Sequence, residues 1–469
     1  GNESQMTDLA NTSRRLPLEN SSGPLSASLS RWQLLAMGVG AIVGAGIFVV
    51  LGEAIKVAGP SVLLSFVFAG VAAGLTAFAY AELASKIRGS GGAFTYTYTV
   101  MGERYAWVAG WMIILELAVV VAAVSVGWSG YLNAFLGGFG IGLPAELSAS
   151  PSEGGLLNLP AVIVVALAML LLIRGASESA RINAAMVVLK IGILVFFCVV
   201  TFTQFDVQNL TPFAPFGVAG IAAAASQVFF SYLGFDAVST AGAEAKNRQR
   251  DLPFAILGSL VAVTALYLAV SFASVAAVPF ETFSEMDVEA ILSSIVNNAL
   301  GMSKAGLIID LGAVIAIFSV VLVALFALSR ILYAISNTGL LPRYLAGVNR
   351  RQAPQRATLI AGSVIAVIAA LVPLETLAQT VSIGTIGAFI LVNVSVLLVR
   401  RRFPHLDGFS LPGWPWIPIV AILFLVAILS GMALRTWVVF GLWLLVGAII
   451  YVFYGRSRSH LKNEVDVDQ

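Results

Sequence analysis

Three ionisable side chains stand inside otherwise apolar stretches of this chain. Lys190 lies in MVVLKIGILVFFCVV (186–200), with no acid near it in sequence. Glu116 lies in GWMIILELAVVVAAVSV and Asp236 in FFSYLGFDAVST. An ammonium at the centre of a membrane helix costs at least about 2.5–3.5 kcal/mol. Lys190 must therefore face protein, water or a partner. Together the three groups point to a path along which something polar or charged moves.

The elements that would hold these groups are apolar helices. The chain is 59% hydrophobic and 11% charged, with a mean hydropathy of +0.94. Soluble domains carry about 25% charge. Apolar runs of about 18 residues or more recur along the whole length, each long enough for a hydrocarbon core of about 30 Å. They lack the period-two alternation of barrel strands. The reading is an all-α integral membrane protein with twelve spans: 33–57, 61–87, 95–128, 157–174, 182–204, 216–241, 253–278, 305–337, 357–373, 377–400, 416–434 and 437–455.

Two spans are interrupted. The first reads AMGVGAIVGAGIFVVLG and the sixth QVFFSYLGFDAVSTAGAE, with Gly234 between Ser231 and Asp236. Broken helices at matching places in two halves are the mark of a transporter built as an inverted repeat. Here the match gives five plus five helices and two extra ones. Gly40 and Gly44 also fit close helix packing, whereas Gly44-Ala45-Gly46 is harder to explain by packing.

Lys and Arg gather in alternate loops, among them Arg104, Arg174, Lys246, Arg250, Arg350 and Arg401. The opposite loops hold acids such as Glu153, Glu281, Asp287 and Glu289. The positive-inside rule then places both termini in the cytoplasm. Residues 1–30 are polar, have no apolar signal-peptide core and read as a disordered cytoplasmic tail. Residues 456–469 read likewise, leaving 31–455 as the transporter domain. Cys198 is the only cysteine, and His405 and His460 fall outside the spans. No metal site, cofactor or intramembrane metalloprotease can be assembled from them. No GxxxxGK[ST] phosphate loop is present.

Six stretches resemble the amino acid–polyamine–organocation transporters, and within them bacterial relatives of the cationic amino acid transporters. They are GVGAIVGAGIFVVLG (38–52), SGGAFTYTYTVMGE (90–103), VSVGWSGYL (124–132), GASESARINAAMVVLK (175–190), FFSYLGFDAVSTAGAEAKNRQRDLP (229–253) and LSRILYAISNTGLLP (328–342). The resemblance covers 30–455 and implies a leucine-transporter-like bundle with substrate held between the two breaks. Amides at Gly44, Ala45 and Gly46, next to Ile42, would face the substrate carboxylate. Carbonyls around Phe230, Ser231 and Leu233 would face its ammonium.

Lys190 matches the family's fifth-helix lysine. Carbonyls near Gly40, Ile42 and Val43, and Ser319 on the eighth span, are its implied partners. Lys190 would either couple proton movement to transport or brace the helices. Glu116 aligns with an acidic position of the cationic subgroup and would pair with a guanidinium or ammonium. Asp236 would serve the same distal cation or hold the unwound turn, and Phe235 would gate the cavity. Trp128 would anchor at the outer interface, and Arg250 and Asp251 would form inner-gate salt bridges. Ala45 departs from the pattern, standing where many cationic-type relatives carry a hydroxyl.

The resulting expectation is a secondary transporter, not an enzyme, in a bacterial inner membrane. It would import amino acids, with arginine, lysine or ornithine ahead of alanine or threonine. It would be driven by protons or by exchange, without sodium. The implied partners are the amino acid, protons and the lipid bilayer. A small single-helix accessory subunit is compatible with the sequence; nucleic acid is not.

Overall fold

The structure is a computed structural model that describes residues 30–44, 46–87, 92–175, 180–240, 246–350 and 353–460. The expected N-terminal tail and Ala45 lie outside the described residues. Those described are helical apart from loops and one isolated bridge between Ser148 and Asn158. Seven helical stretches are long and apolar enough to cross a membrane: Arg31–Lys86, Glu103–Gly137, Ala184–Phe202, Gln249–Ala277, Ser303–Asn337, Leu374–Arg402 and Leu434–Arg458.

The first span is broken as expected. Helix α1 (Arg31–Ile42) opens on a capping box in which Ser30 and Gln33 satisfy each other's backbone amides. It stops at Val43, which is extended, and the chain resumes as a wide turn at Gly46–Val50 followed by α2 (Leu51–Ala58). Next come α3 (Val62–Lys86), α4 (Ala93–Val100) and α5 (Glu103–Gly137). The third span was expected at 95–128 as one helix. It divides at Gly102, whose φ of 106° belongs to a region that side-chain-bearing residues avoid. The long helix then runs nine residues past the expected end, to Gly137.

Helices α6 (Leu159–Ile173) and α7 (Ala180–Phe202) follow. The sixth span is again broken: α8 (Gly217–Val228) tightens into a 3₁₀ turn at Phe229–Tyr232 before α9 (Phe235–Thr240). Helix α10 (Arg248–Ala277) leads to a long loop with a short helix, α11 (Ile291–Ser294). The rest is α12 (Ser303–Asn337), α13 (Gln355–Leu371), α14 (Leu374–Arg402), α15 (Trp416–Leu429) and α16 (Leu434–Ile450).

Helices α5 and α12 have 35 residues each, about 50 Å at 1.5 Å per residue, and form the longest packed pair. Helix α5 also lies along α14, and α10 along both α1 and α3. Helix α16 docks through indoles: Trp111 and Trp443 stack at 4.0 Å, and Trp107 donates to the Gly447 carbonyl. Trp128 is not an interface anchor. It is buried and donates to the Val314 carbonyl at 3.0 Å, tying α5 to α12. The C-terminal segment departs from its expected disorder at its start. Ser459 donates to the buried Glu103 carboxylate, which also accepts from Tyr98 and Tyr451.

Candidate functional site

An α-helix ends with four carbonyls that have no intrahelical donor. At the end of α1 three of them can be traced. Val39 accepts from the Val43 amide at 2.9 Å, and Gly40 accepts from the Lys190 ammonium at 3.1 Å. The Ile42 carbonyl lies 2.9 Å from the Tyr267 hydroxyl. Lys190 is buried on α7 and reaches α1 because Gly40 has no side chain. A Cβ there would stand 2.2 Å from Val187 Cγ2. Gly40 was among the partners expected for the ammonium, and it accepts this hydrogen bond. Ser319 is buried on α12, and its neighbour Val320 meets Gly44.

The second break closes mostly on itself. Ser231 donates its hydroxyl to the Val228 carbonyl, and the Leu233 amide donates to the Phe230 carbonyl at 2.9 Å. Gly234 has a φ of 120°, and its amide donates to Asp236 Oδ1 at 3.1 Å. Asp236 thus holds the turn that starts α9. The Ser231 carbonyl lies 2.6 Å from the same Tyr267 hydroxyl that serves Ile42. One phenolic proton therefore stands between the two breaks.

The breaks cross at two points. A Cβ on Gly46 would sit 1.9 Å from Ser231 Cβ, and one on Gly234 would sit 2.5 Å from the Ala41 carbonyl. Only glycine permits either approach. Beyond the helix start at Gly46, the first amides have no acceptor within the helix. Gly44, Gly46, Phe230, Ser231 and Phe235 are buried, and Leu233 and Asp236 are partly exposed.

An aromatic wall adjoins the second break. Phe235 meets Tyr80 edge-on at 5.4 Å and Phe389 at 5.4 Å, and Phe229 meets Phe389 at 5.8 Å. Glu116 is buried on α5 against Gly384 of α14, where a Cβ would lie 3.6 Å from Glu116 Cβ. Its carboxyl group lies near that of Asp236. The structure thus gathers the two acids and both breaks into one region, with Lys190 at the Gly40 carbonyl of α1.

Two phenols were missed in the sequence. Tyr267 clips the breaks together, and Tyr131 donates to the Phe48 carbonyl at 2.7 Å, just outside the first break. A tyrosine in an apolar helix must send its hydroxyl proton somewhere, and that was the available signal.

At the N-terminal end of α1, Arg31 meets Asp251 at 3.4 Å and Arg250 meets it at 3.3 Å, so α1 is also tied at its start. An open concavity of about 1080 Å³ lies beside this pair, lined by Phe254, Gly258 and Phe409, away from the breaks. At the opposite end of the bundle, Val288 and residues 290–296 are buried against the second half of the first span, α2. Gly52 receives Ile291 and Val288 there, and Gly130 receives Glu289. Burial, then the charges of Asp287, Glu153 and Glu53, push the Glu289 carboxyl well above the usual range. Asp287, more exposed, is raised in the same direction by partial desolvation.

Residues 29–454 match the model of a family described as amino acid permease. The chain is 42% identical to the branched-chain amino acid permease BcaP of Bacillus subtilis, over 93% of this chain and 95% of the relative. It is 37% identical to the methylthioribose transporter of the same organism, over 96% and 98%. Identity to the vacuolar cationic amino acid transporter 2 of Arabidopsis thaliana is 37%, over 80% of this chain and 60% of that one.

Proposed function

The chain belongs to the amino acid permease family, and on that premise we propose that it is a proton-coupled importer of neutral, apolar amino acids. Members of this family are permeases, not enzymes. The observation that carries the reading is the close approach of Gly46 to Ser231, which brings the two breaks together. Amides at Gly44 to Gly46 take the α-carboxylate. The second lone pairs of the Phe230 and Ser231 carbonyls take the α-ammonium. Phe230 and Phe235 border the space for an apolar side chain.

Asp236 is engaged by its own turn and Glu116 is packed on α14. Neither is left to read a distal cation, which favours the neutral substrate. The branched-chain relative agrees with this choice. The second reading, a cationic substrate, draws on those two acids standing near the site and on the cationic transporter relatives.

Lys190 couples the cycle to protons in this account. Its ammonium holds the Gly40 carbonyl, and loss of its proton frees the inner half of the first span to swing. The long helices, with Arg31–Lys86 folded into two crossings, and the shorter Leu159–Ile173, Gly217–Tyr232, Gln355–Leu371 and Trp416–Leu429 give twelve crossings. They are arranged as a five-plus-five inverted repeat plus two, with both termini cytoplasmic in a bacterial inner membrane.

The test is uptake into liposomes holding the purified protein, with an inward proton gradient and no sodium. Labelled leucine should accumulate. Leucine analogues lacking either the amino or the carboxyl group should not compete, and arginine should compete weakly. Arginine uptake exceeding leucine uptake would select the cationic reading. Uptake of methylthioribose and of no amino acid would sink both.

A further inference from the structure

One carboxyl group away from the breaks has no partner. Asp310 lies about two turns into α12 from its outer end. It is fully buried, and neither of its carboxylate oxygens has a hydrogen-bond partner. The polar groups around it are committed elsewhere. Ser293 from α11 stands beside it but donates to the Ala290 carbonyl at 3.2 Å. Tyr131 faces it from α5 but donates to the Phe48 carbonyl. The charged group facing it is Asp287 from the outer loop, which has the same sign. One turn inward, Gly312 meets Ile193 and Leu189 of α7, so that side is apolar.

A carboxylate removed from water with no hydrogen bond and no counter-charge is too costly to keep; it takes up a proton or a cation instead. A metal cation needs several oxygen ligands around it. The hydroxyls nearest Asp310 already serve backbone carbonyls, and none of the described lysines or arginines forms an ion pair with it. Asp287 stands near this carboxyl, and Glu289 and Glu153 stand near Asp287 or one another, so acids from two loops gather at this end of α12. Their summed charge draws cations, and protons first, toward the outer end of α12.

We propose that Asp310 is a proton-binding site in the outer half of the molecule, loaded from the outer acidic cluster and closed over by residues 288–296. The loading step is the simple addition of one proton to one carboxylate oxygen. Its use in transport rests on the importer reading above; the presence of the proton does not.

The test is infrared difference spectroscopy on the full chain in lipid, with a transport assay beside it. A protonated carboxylic acid band should be present at neutral pH. It should shift on labelling with carbon-13 aspartate, persist in Asp236→Asn and vanish in Asp310→Asn. Aspartate labelling assigns the band without any substitution, so a variant that fails to fold does not rescue the idea. Absence of an aspartic acid band overturns the proposal. So does loss of the band on adding sodium or calcium at constant pH, which would make the site a metal-cation site.

In liposomes, Asp310→Asn should keep leucine exchange near the wild-type rate. Gradient-driven accumulation should fall at least about tenfold, with a flat dependence on external pH, if the acid contributes one proton-binding step of ordinary strength. Unchanged accumulation with an unchanged pH profile overturns the transport role.

Discussion

The two breaks look alike in sequence and are held in opposite ways. The first is held from outside. Lys190 of α7 takes the Gly40 carbonyl, Tyr267 of α10 reaches Ile42, and Arg31 at the start of α1 meets Asp251. The second is held mainly by its own residues: Ser231 to Val228, Leu233 to Phe230, and Asp236 to Gly234. A segment whose end groups are satisfied by other helices loosens when those helices shift. A segment that satisfies itself keeps its shape. On the importer reading proposed above, α1 would be the moving part and the sixth span the wall it moves against.

The largest expected effect comes from joining the two regions by force. Gly46→Val places atoms where Ser231 already stands. Overpacking of this kind costs about 1–3 kcal/mol even in cores that relax, and here uptake should be abolished while the purified protein remains folded by circular dichroism. Next comes Lys190→Ala, which strips the first break of a charged donor. Hydrogen bonds to charged groups contribute about 1.5–3 kcal/mol, so leucine uptake should fall roughly 10- to 100-fold. Tyr267→Phe removes the one proton shared between the breaks. Leaving a buried carbonyl unpaired costs about 1–3 kcal/mol, and a loss of about tenfold in uptake is expected.

Asp236→Asn sharpens the contrast because it should do little. An asparagine still offers the Gly234 amide an oxygen, so uptake should stay within about threefold of wild type. Asp236→Ala should cost more, since the turn loses its acceptor. A loss in Asp236→Asn as large as in Lys190→Ala would mean that the negative charge itself acts on the substrate.

The smallest effect concerns the cover over the first break. Asp287 and Glu289 have raised carboxyls, so the folded protein binds their protons more tightly than the unfolded chain. The stability they contribute is complete below the ordinary carboxylate range and is lost as pH rises through the raised values. Thermal stability should therefore rise as pH is lowered from neutrality toward that range. Glu289→Gln should raise the melting temperature at neutral pH and reduce its slope with pH.

Much of this was legible in the residues. The glycine runs gave both breaks, because only a missing Cβ permits the approaches at Gly46 and Gly234. Lys190 was visible because an ammonium among apolar residues demands a partner, and the Gly40 carbonyl is one. The division of the third span at Gly102 was hidden, since TYTYTVMGERYAW keeps an apolar character through the turn. Tyr267 was hidden for a related reason. A phenol in ALYLAVSF scores as one more apolar residue, and its role depends on two carbonyls 225 and 36 positions away in sequence. Trp128 misled in the opposite direction, having the residue type of an interface anchor and the surroundings of a core.

The most direct test of the contrast is amide hydrogen exchange on the purified protein in lipid, comparing wild type with Lys190→Ala. Faster exchange is expected over Arg31–Ile42 and unchanged exchange over Phe235–Thr240. Equal acceleration of both segments, or of the sixth alone, would contradict the claim that the first break is held from outside and the second from within.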